Sequence, residues 1–239
     1  MTTRVACLGD SLTRAQFSVD YLGLLGRRHP PAEVRPARFG ANGDFAHNLL
    51  QGLDAVVMNP PDVITVLIGT NDARASLPGY PMEQAMKRKR LPHRPSAGWF
   101  QQCLGAVVAR LRAETDATIG LLSLPVLGQR LDGAAAQASQ AYSRMIAEVA
   151  ATNAVAYLPL HERQVEELRQ ADPPPISYRE VTPADALGVL VQRAVLRRSL
   201  DAISRRRGLV LTTDHIHQNS RGAALIAEVI DAGLLAQRA

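Results

Sequence analysis

Short aliphatic runs alternate along the chain with longer stretches in which apolar residues recur every three or four positions. Such short runs are typical of parallel strands buried on both faces, and the longer stretches are typical of the helices that cover them. The pattern predicts strands at residues 4–8, 33–39, 63–68, 118–124 and 155–158, of which 33–39 has the weakest signal. We therefore expect an α/β sandwich of three layers around a central sheet of about five parallel strands.

The clearest helix is predicted at residues 96–112, where Ser96 is suited to cap the N-terminus. Its apolar residues fall on one face, which we interpret as core and not as a cofactor site: Trp99, Phe100, Cys103, Leu104, Val107, Val108 and Leu111. Further helices are predicted at 135–152 and 220–235.

Two segments interrupt this alternation. Residues 75–95 contain four prolines and the basic run 87–90, and we interpret them as a solvated surface loop in preference to an anion-binding lid. Residues 161–213 contain three consecutive prolines at 173–175, followed by a long helical pattern over 183–207. We expect this second segment to be a helical cap on one domain that spans residues 1–239, because no repeat or low-complexity tract divides the chain.

The composition is that of a globular protein whose core is stable without cross-links. The chain has 239 residues, 46% of them hydrophobic, and two cysteines, so a core of ordinary size needs neither disulfides nor metal. The N-terminal apolar run is too short for a secretion signal, and no stretch reaches the roughly 18 apolar residues of a membrane span. We expect a cytoplasmic protein in which Cys7 and Cys103 are reduced and packed.

The charge is positive and comes almost entirely from arginine. There are 27 Lys and Arg against 22 Asp and Glu, and the pI of about 9.7 makes nucleic acid one partner to consider. The basic residues are dispersed, however, and aromatic residues that would stack on bases make up only 4% of the chain. We therefore do not expect nucleic acid as the partner, while an acidic group on a small substrate stays possible.

A serine and a distant histidine occur where a nucleophile and its base would be needed. Ser11 directly follows the first predicted strand, at the edge of a parallel sheet where ligands bind. Asp214 and His217 are three positions apart, so that on a turn the carboxylate can orient the imidazole toward a serine. The pair His215 and His217 also suits a metal, but no third ligand at suitable spacing accompanies it.

Two further loops offer donors for an oxyanion. The glycines around Gly43 allow a backbone N–H to approach a substrate closely, and the side-chain amide of Asn71 can donate a second hydrogen bond. Four loops at one edge of the sheet thus supply a nucleophile, two donors and an Asp–His pair.

Together these blocks resemble the SGNH (GDSL) hydrolase family. The residues 9–12 (GDSL), Gly43, 69–72 (GTND) and the pair Asp214 and His217 occur in the order of that family's four blocks and span nearly the whole chain. The resemblance implies a flavodoxin-like fold and ester hydrolysis through an acyl-enzyme, with no cofactor. It also implies catalytic roles for Ser11, His217 and Asp214, and an oxyanion hole built from Ser11, Gly43 and Asn71.

Some residues depart from the family pattern, and these bear on the substrate. His215 stands where glycine is common, so it is a rival to His217 as the base, and we favour His217. We expect the loop 124–127 to line an apolar acyl pocket. Arg14, Arg74 and Arg130 lie on loops near the same edge, where they could bind an anionic group, but we favour solvated surface positions for all three.

Two functions other than serine esterase remain open from the sequence. The chain could be a non-catalytic module that binds a lipid or sugar in the same cleft, or a basic protein that binds nucleic acid. The intact set of Ser11, Asn71, Asp214 and His217 favours the esterase.

Overall fold

Five strands form one parallel sheet in the order β2-β1-β3-β4-β5 in the computed structural model, which describes residues 2–30, 33–195 and 197–236. The strands are β1 (Thr3–Gly9), β2 (Val34–Gly40), β3 (Val63–Leu67), β4 (Thr118–Leu122) and β5 (Ala156–Leu158). This order is that of flavodoxin-like folds. The α/β fold with a five-stranded parallel sheet, predicted from the hydrophobic pattern, is confirmed.

Helices surround the sheet and follow each strand. They are α1 (Ser11–Arg14), α2 (Tyr21–Arg28), α3 (Ala46–Gln51), α4 (Asp54–Val57), α5 (Thr70–Arg74), α6 (Met82–Lys89), α7 (Ala97–Glu114), α8 (Ala134–Thr152), α9 (Leu160–Ala171), α10 (Pro183–Ala194), α11 (Leu200–Arg206) and α12 (Ser220–Ile230), and a π-helical turn covers Asp231–Leu235. Ser96 caps α7 as expected, since its hydroxyl accepts a hydrogen bond from the backbone N–H of Trp99 at 3.2 Å. Among the described residues, no helix is long and apolar enough to cross a membrane.

The position of each strand in the sheet explains the strength of its pattern. Every residue of β3, in the centre, is buried, and its sequence is an unbroken apolar run apart from Thr65. Strand β2 lies at the edge, where Arg35 and Arg38 reach solvent or surface partners, so its apolar pattern is interrupted. Cys7 and Cys103 are free and buried, and burial raises the pKa of each thiol to about 11.

The prediction of a loop over residues 75–95 was wrong in its middle part. Helix α6 forms there, with Pro81 directly before its first residue, a position that tolerates the missing N–H. Its basic run is not fully solvated either, because the ammonium group of Lys89 lies 2.7 Å from the carboxylate of Asp44, and both side chains are largely covered.

The segment 161–213 is more varied than the expected cap. It begins inside α9, whose Leu168 is buried in the main core, so this helix belongs to the layer that covers the sheet. The helical pattern over 183–207 is interrupted between α10 and α11, because the hydroxyl of Ser199 starts a new helix by accepting from the N–H of Ala202 at 3.1 Å. Between α9 and α10 the chain runs without helix or strand from residue 172 to 182.

Candidate active site

Ser11 lies just beyond the carboxyl end of β1, an interior strand between β2 and β3. The chain turns sharply there, and a Cβ at Gly9 would collide with the carbonyl oxygen of Leu67, so only glycine fits. Asp10 starts α1 by accepting a hydrogen bond from the N–H of Leu12 at 2.9 Å. Ser11 is then the first residue of the helix, and its own N–H has no acceptor within that helix.

The structure brings Ser11, His217 and Asp214 together. Nε2 of His217 lies 3.2 Å from the hydroxyl oxygen of Ser11, and Nδ1 lies 2.7 Å from Oδ2 of Asp214. A carboxylate only accepts, so Nδ1 carries the hydrogen and Nε2 is left free to accept from the serine hydroxyl. This geometry would let the imidazole take a proton from the serine hydroxyl while the carboxylate orients the ring.

A tight loop supports this arrangement. The backbone N–H of Thr213 donates to the carbonyl oxygen of His217 at 2.7 Å, which closes the turn that contains both Asp214 and His217. Burial alone would raise the pKa of Asp214, but the facing imidazole and the backbone N–H groups of residues 216 and 217 lower it overall. Asp214 thus stays ionised beside the imidazole. The ring of Phe17 packs on His217, with ring centroids 5.3 Å apart.

His215 has no hydrogen bond to Ser11 in the described part of the chain. Its ring packs edge-on against Tyr178, with centroids 5.9 Å apart, and its Nδ1 is buried without a partner among the described residues. Burial lowers the pKa of His215. Its backbone is in the left-handed region, with φ of 76°, which explains why glycine suits this position. Of the two histidines, it is His217 that contacts Ser11 and Asp214.

Asn71 and Gly43 lie on the neighbouring loops. The side-chain amide of Asn71 donates to the carbonyl oxygen of Asp44 at 2.9 Å, and its nitrogen also lies 3.3 Å from Oδ2 of Asp10, the residue before Ser11. Gly43 precedes Asp44 and has φ of 75°. Within the described part of the chain, the N–H of Gly43 has no acceptor, as expected of a donor that faces a ligand.

The arginines singled out from the sequence have different surroundings. Arg74 is largely covered, pairs with Glu180 and donates to Oδ1 of Asn71 at 2.8 Å. Arg130 binds Asp132 on the surface, and Arg14 is exposed. Arg74 is therefore already neutralised by a carboxylate of the protein.

The loop 124–127 is buried and firmly held. The backbone N–H groups of Leu124, Val126 and Leu127 each donate to a side-chain oxygen on α8 or α9, at 2.9–3.2 Å. Leu127 also lines a cavity of about 330 Å³, together with Leu77, Tyr178 and other residues. The wall of this cavity also includes Gln129, Arg130 and Ser177 but neither Ser11 nor His217, so it is of mixed polarity and does not lie directly at the serine.

Sequence reasoning missed three residues near the site. Glu180 and Tyr178 come from the segment between α9 and α10, and Phe17 follows α1. Their contacts join positions up to 200 residues apart, as between Phe17 and His217, and no local spacing signals such pairs.

Two carboxyl groups next to Asn71 are buried: that of Asp10, which contacts the amide nitrogen, and that of Asp72, the next residue in the chain. Burial raises the pKa of Asp10 to about 6 and that of Asp72 to about 7. One oxygen of Asp72 accepts from the N–H of Ala46 at 3.1 Å, and the other has no partner among the described residues. Folding thus places two acids in a setting that disfavours their charge.

Comparison with known proteins places the chain among acylhydrolases. A model of the GDSL-like lipase/acylhydrolase family matches residues 7–225. A search of curated proteins found no match.

Solved structures share the fold at low sequence identity. The acetyl xylan esterase AlAXEase is 18% identical with a TM-score of 0.68, and the match covers 97% of this chain and 100% of that one. Axe2, an acetylxylan esterase from Geobacillus stearothermophilus, is 16% identical with a TM-score of 0.66, over 96% and 93% of the two chains. LAE5, an alpha/beta hydrolase enzyme from the metagenome of Lake Arreo in Spain, is 18% identical with a TM-score of 0.61, over 96% and 94%.

Proposed function

Since this chain belongs to the GDSL-like lipase/acylhydrolase family and is an ester-bond hydrolase, we propose that it is a serine esterase with Ser11 as the nucleophile. The observation that carries the proposal is the pair of contacts from Ser11 to His217 at 3.2 Å and from His217 to Asp214 at 2.7 Å. A serine hydroxyl attacks an ester only with a base to take its proton, and this geometry supplies one.

The reaction proceeds in two steps. In the first, the Ser11 oxygen attacks the ester carbonyl carbon while Nε2 of His217 takes the hydroxyl proton. The tetrahedral intermediate collapses, His217 gives that proton to the leaving alcohol, and an acyl-serine remains. In the second, water loses a proton to His217 and attacks the acyl-serine, which releases the carboxylic acid and restores Ser11. Asp214 stays ionised throughout and stabilises the charged imidazole.

The negative charge that develops on the carbonyl oxygen needs fixed donors. We assign this role to the backbone N–H groups of Ser11 and Gly43 and to the side-chain amide of Asn71. The unoccupied N–H of Gly43 and the position of Ser11 at the start of α1 support the assignment. No cofactor or metal takes part in these steps.

The substrate we propose is an ester with a short acyl group, such as acetyl. Ser11 is only 7% exposed, which leaves little room for a long chain directly at the nucleophile. The solved structures of similar fold include two acetyl xylan esterases. Two catalytic mutants of Axe2 change an aspartate and a histidine three positions apart, which is the spacing of Asp214 and His217.

The domain organisation belongs to the same proposal. Residues 1–239 form one domain, and the part of the segment 161–213 that follows α9 covers the side of the cleft formed by α5 and the loop of His215. The contacts of Glu180 with Arg74 and of Tyr178 with His215 support this placement.

Labelling by a fluorophosphonate probe, together with hydrolysis of p-nitrophenyl acetate, tests the proposal. We expect the wild type to be labelled and active, and Ser11→Ala to lose the label and about a thousandfold or more in kcat. Ser76→Ala is the matched control, since the Ser76 hydroxyl donates to the carbonyl oxygen of Ala73, outside the proposed triad and oxyanion hole. An unlabelled wild type, or a Ser11→Ala variant with normal activity, would overturn the proposal and favour a binding module.

A further inference from the structure

A line of hydrogen bonds leads from the segment between α9 and α10 to the Asn71 amide. The hydroxyl of Tyr178 donates to Oε2 of Glu180 at 2.6 Å, and the other carboxylate oxygen of Glu180 pairs with Nη2 of Arg74. Nη1 of Arg74 then donates to Oδ1 of Asn71 at 2.8 Å. The segment thus contacts the proposed oxyanion donor through one arginine.

The ion pair in this line is well shielded from water. The side chains of Arg74 and Glu180 are each 13% exposed, and the guanidinium also lies 5.3 Å from the centre of the Tyr80 ring. Burial alone would lower the pKa of Arg74, but the facing Glu180 carboxylate raises it overall. The guanidinium therefore remains charged and its direction is fixed by Glu180, because a buried charge needs its partner.

The orientation of the Asn71 amide depends on what faces each end. A side-chain amide has an acceptor oxygen and a donor nitrogen of nearly equal size, so its neighbours decide which end points where. Arg74 can only donate, and it faces the oxygen. The Asp44 carbonyl at 2.9 Å and Oδ2 of Asp10 at 3.3 Å face the nitrogen and accept from it. If the amide rotated by half a turn, its N–H groups would face the N–H groups of Arg74, and its oxygen would face the carbonyl oxygen of Asp44. Both contacts would be repulsive.

We propose that Arg74 and Glu180 are positioning residues that hold the Asn71 amide with one N–H on the Asp44 carbonyl, so that the other N–H exchanges its longer 3.3 Å contact with Asp10 for the reacting carbonyl. The inference rests on the proposed esterase function. It gives the segment between α9 and α10 a part in catalysis: Glu180 fixes Arg74, and Arg74 fixes the donor. Without Glu180, the Asp44 carbonyl still favours the correct orientation, so the donor is loosened and not lost.

Glu180→Gln tests the proposal, because it removes the charge and keeps the shape. Complete loss of an oxyanion donor costs 10²–10³ in kcat, so we expect loosening of the donor to cost about tenfold in kcat for p-nitrophenyl acetate, with KM changed by less than about twofold. The matched control is Asp185→Asn, the same kind of change on a carboxylate that bonds Arg179 and Thr182 nearby. The control should keep the wild-type kcat. A loss seen only in Glu180→Gln then comes from the broken pair with Arg74 and not from general loosening of the segment.

A double-mutant cycle with Asn71→Ala distinguishes positioning from a purely structural role. If Glu180 acts through Asn71, Glu180→Gln causes no further loss of kcat in the Asn71→Ala background. Independent losses that multiply would overturn the inference, as would a Glu180→Gln variant with wild-type kcat. Tyr178→Phe, which removes only the hydroxyl bonded to Glu180, should give a smaller loss with the same dependence on Asn71, and it replaces Glu180→Gln if that variant does not fold.

The outcomes separate the two proposals. A wild type that hydrolyses no ester overturns the esterase function and this inference with it. An active wild type whose Glu180→Gln loss is absent or independent of Asn71 overturns the positioning role alone.

Discussion

The carboxylate of Asp214 holds His217 at two points. Oδ2 accepts from Nδ1 of the ring at 2.7 Å, and Oδ1 accepts from the backbone N–H of the same residue at 2.8 Å. One side chain therefore fixes both the position of the loop and the direction of the imidazole, and it leaves Nε2 facing Ser11.

Asp214→Asn should separate these two functions. The amide oxygen can still accept from the backbone, so the loop should keep its shape. The amide nitrogen would face Nδ1 as a donor and favour the ring tautomer whose Nε2 carries the hydrogen, which cannot take a proton from Ser11. We expect kcat to fall about 10⁴-fold, as with the corresponding change in a well-studied serine protease, while the melting temperature changes little.

Hydrolysis of p-nitrophenyl acetate at pH 7.5 measures this effect. Asp201→Asn is the control, because Asp201 accepts hydrogen bonds from Ser220 outside the proposed triad. A loss of less than about tenfold in Asp214→Asn would show that the carboxylate does not set the tautomer.

Gly43→Ala should lower kcat strongly while it lowers the free energy of unfolding only slightly. Its φ of 75° suits glycine, and an added Cβ would lie 3.0 Å from Nη2 of Arg88 and 3.3 Å from Cε of Lys89. These are flexible side chains that can shift, but the strained backbone would turn the Gly43 N–H away from its direction. We expect kcat to fall by about tenfold to a hundredfold.

Gly79→Ala is a matched control for this prediction. Gly79 has φ of 82°, and a Cβ there meets nothing within 4 Å. Both variants should lose about 1 kcal/mol of unfolding free energy from backbone strain, measured by urea denaturation. Equal effects on kcat would contradict a specific role for the Gly43 loop.

The elements that were easiest to predict from the sequence are those buried on one face or on both faces. Strand β3 is buried on both faces and helix α7 on one, so their patterns are clear. Helix α6 was missed because Ala85 is its one buried residue among those described, which leaves no apolar repeat to detect. The edge strand β2 had a weak signal for a similar reason.

In the candidate site, residues that are close in sequence could be predicted and residues that are far apart could not. Asp214 and His217 are close in sequence, so their spacing alone indicates that they share a turn. Arg74 and Glu180 are 106 residues apart, and each is by itself an ordinary charged residue. Neither sequence interpretation of Arg74, the favoured solvated position or the anion-binding role, holds, because the folded chain brings Glu180 to it and covers the pair.

His215→Gly should stabilise the protein relative to His215→Ala. Both variants remove the imidazole and its edge contact with Tyr178, but only glycine relieves the positive φ of 76°. The left-handed conformation costs a non-glycine residue roughly 1–2 kcal/mol, so glycine should be more stable than alanine by about 1 kcal/mol once its extra unfolded-state entropy is included. Urea denaturation measures the difference, and an alanine variant as stable as the glycine variant would contradict it.

Asp72→Asn should change how stability depends on pH. Burial raises the pKa of Asp72 to about 7 from an ordinary 3.8, so the folded protein binds this proton more tightly than the unfolded chain. The stabilisation from Asp72 is therefore fully present below pH 3.8 and is lost as pH rises through 7. Over that whole range the loss amounts to about 4 kcal/mol, with most of it falling between pH 5 and pH 8.

Because asparagine has no such proton, the melting temperature of Asp72→Asn minus that of the wild type should grow by roughly 5–10 °C from pH 5 to pH 8. Differential scanning calorimetry at both pH values measures it. Asp116→Asn is the control, since its carboxylate is exposed and its removal should shift the melting temperature equally at the two pH values. If the melting-temperature difference between Asp72→Asn and the wild type is the same at pH 5 and pH 8, burial does not raise the pKa of Asp72, and the prediction is wrong.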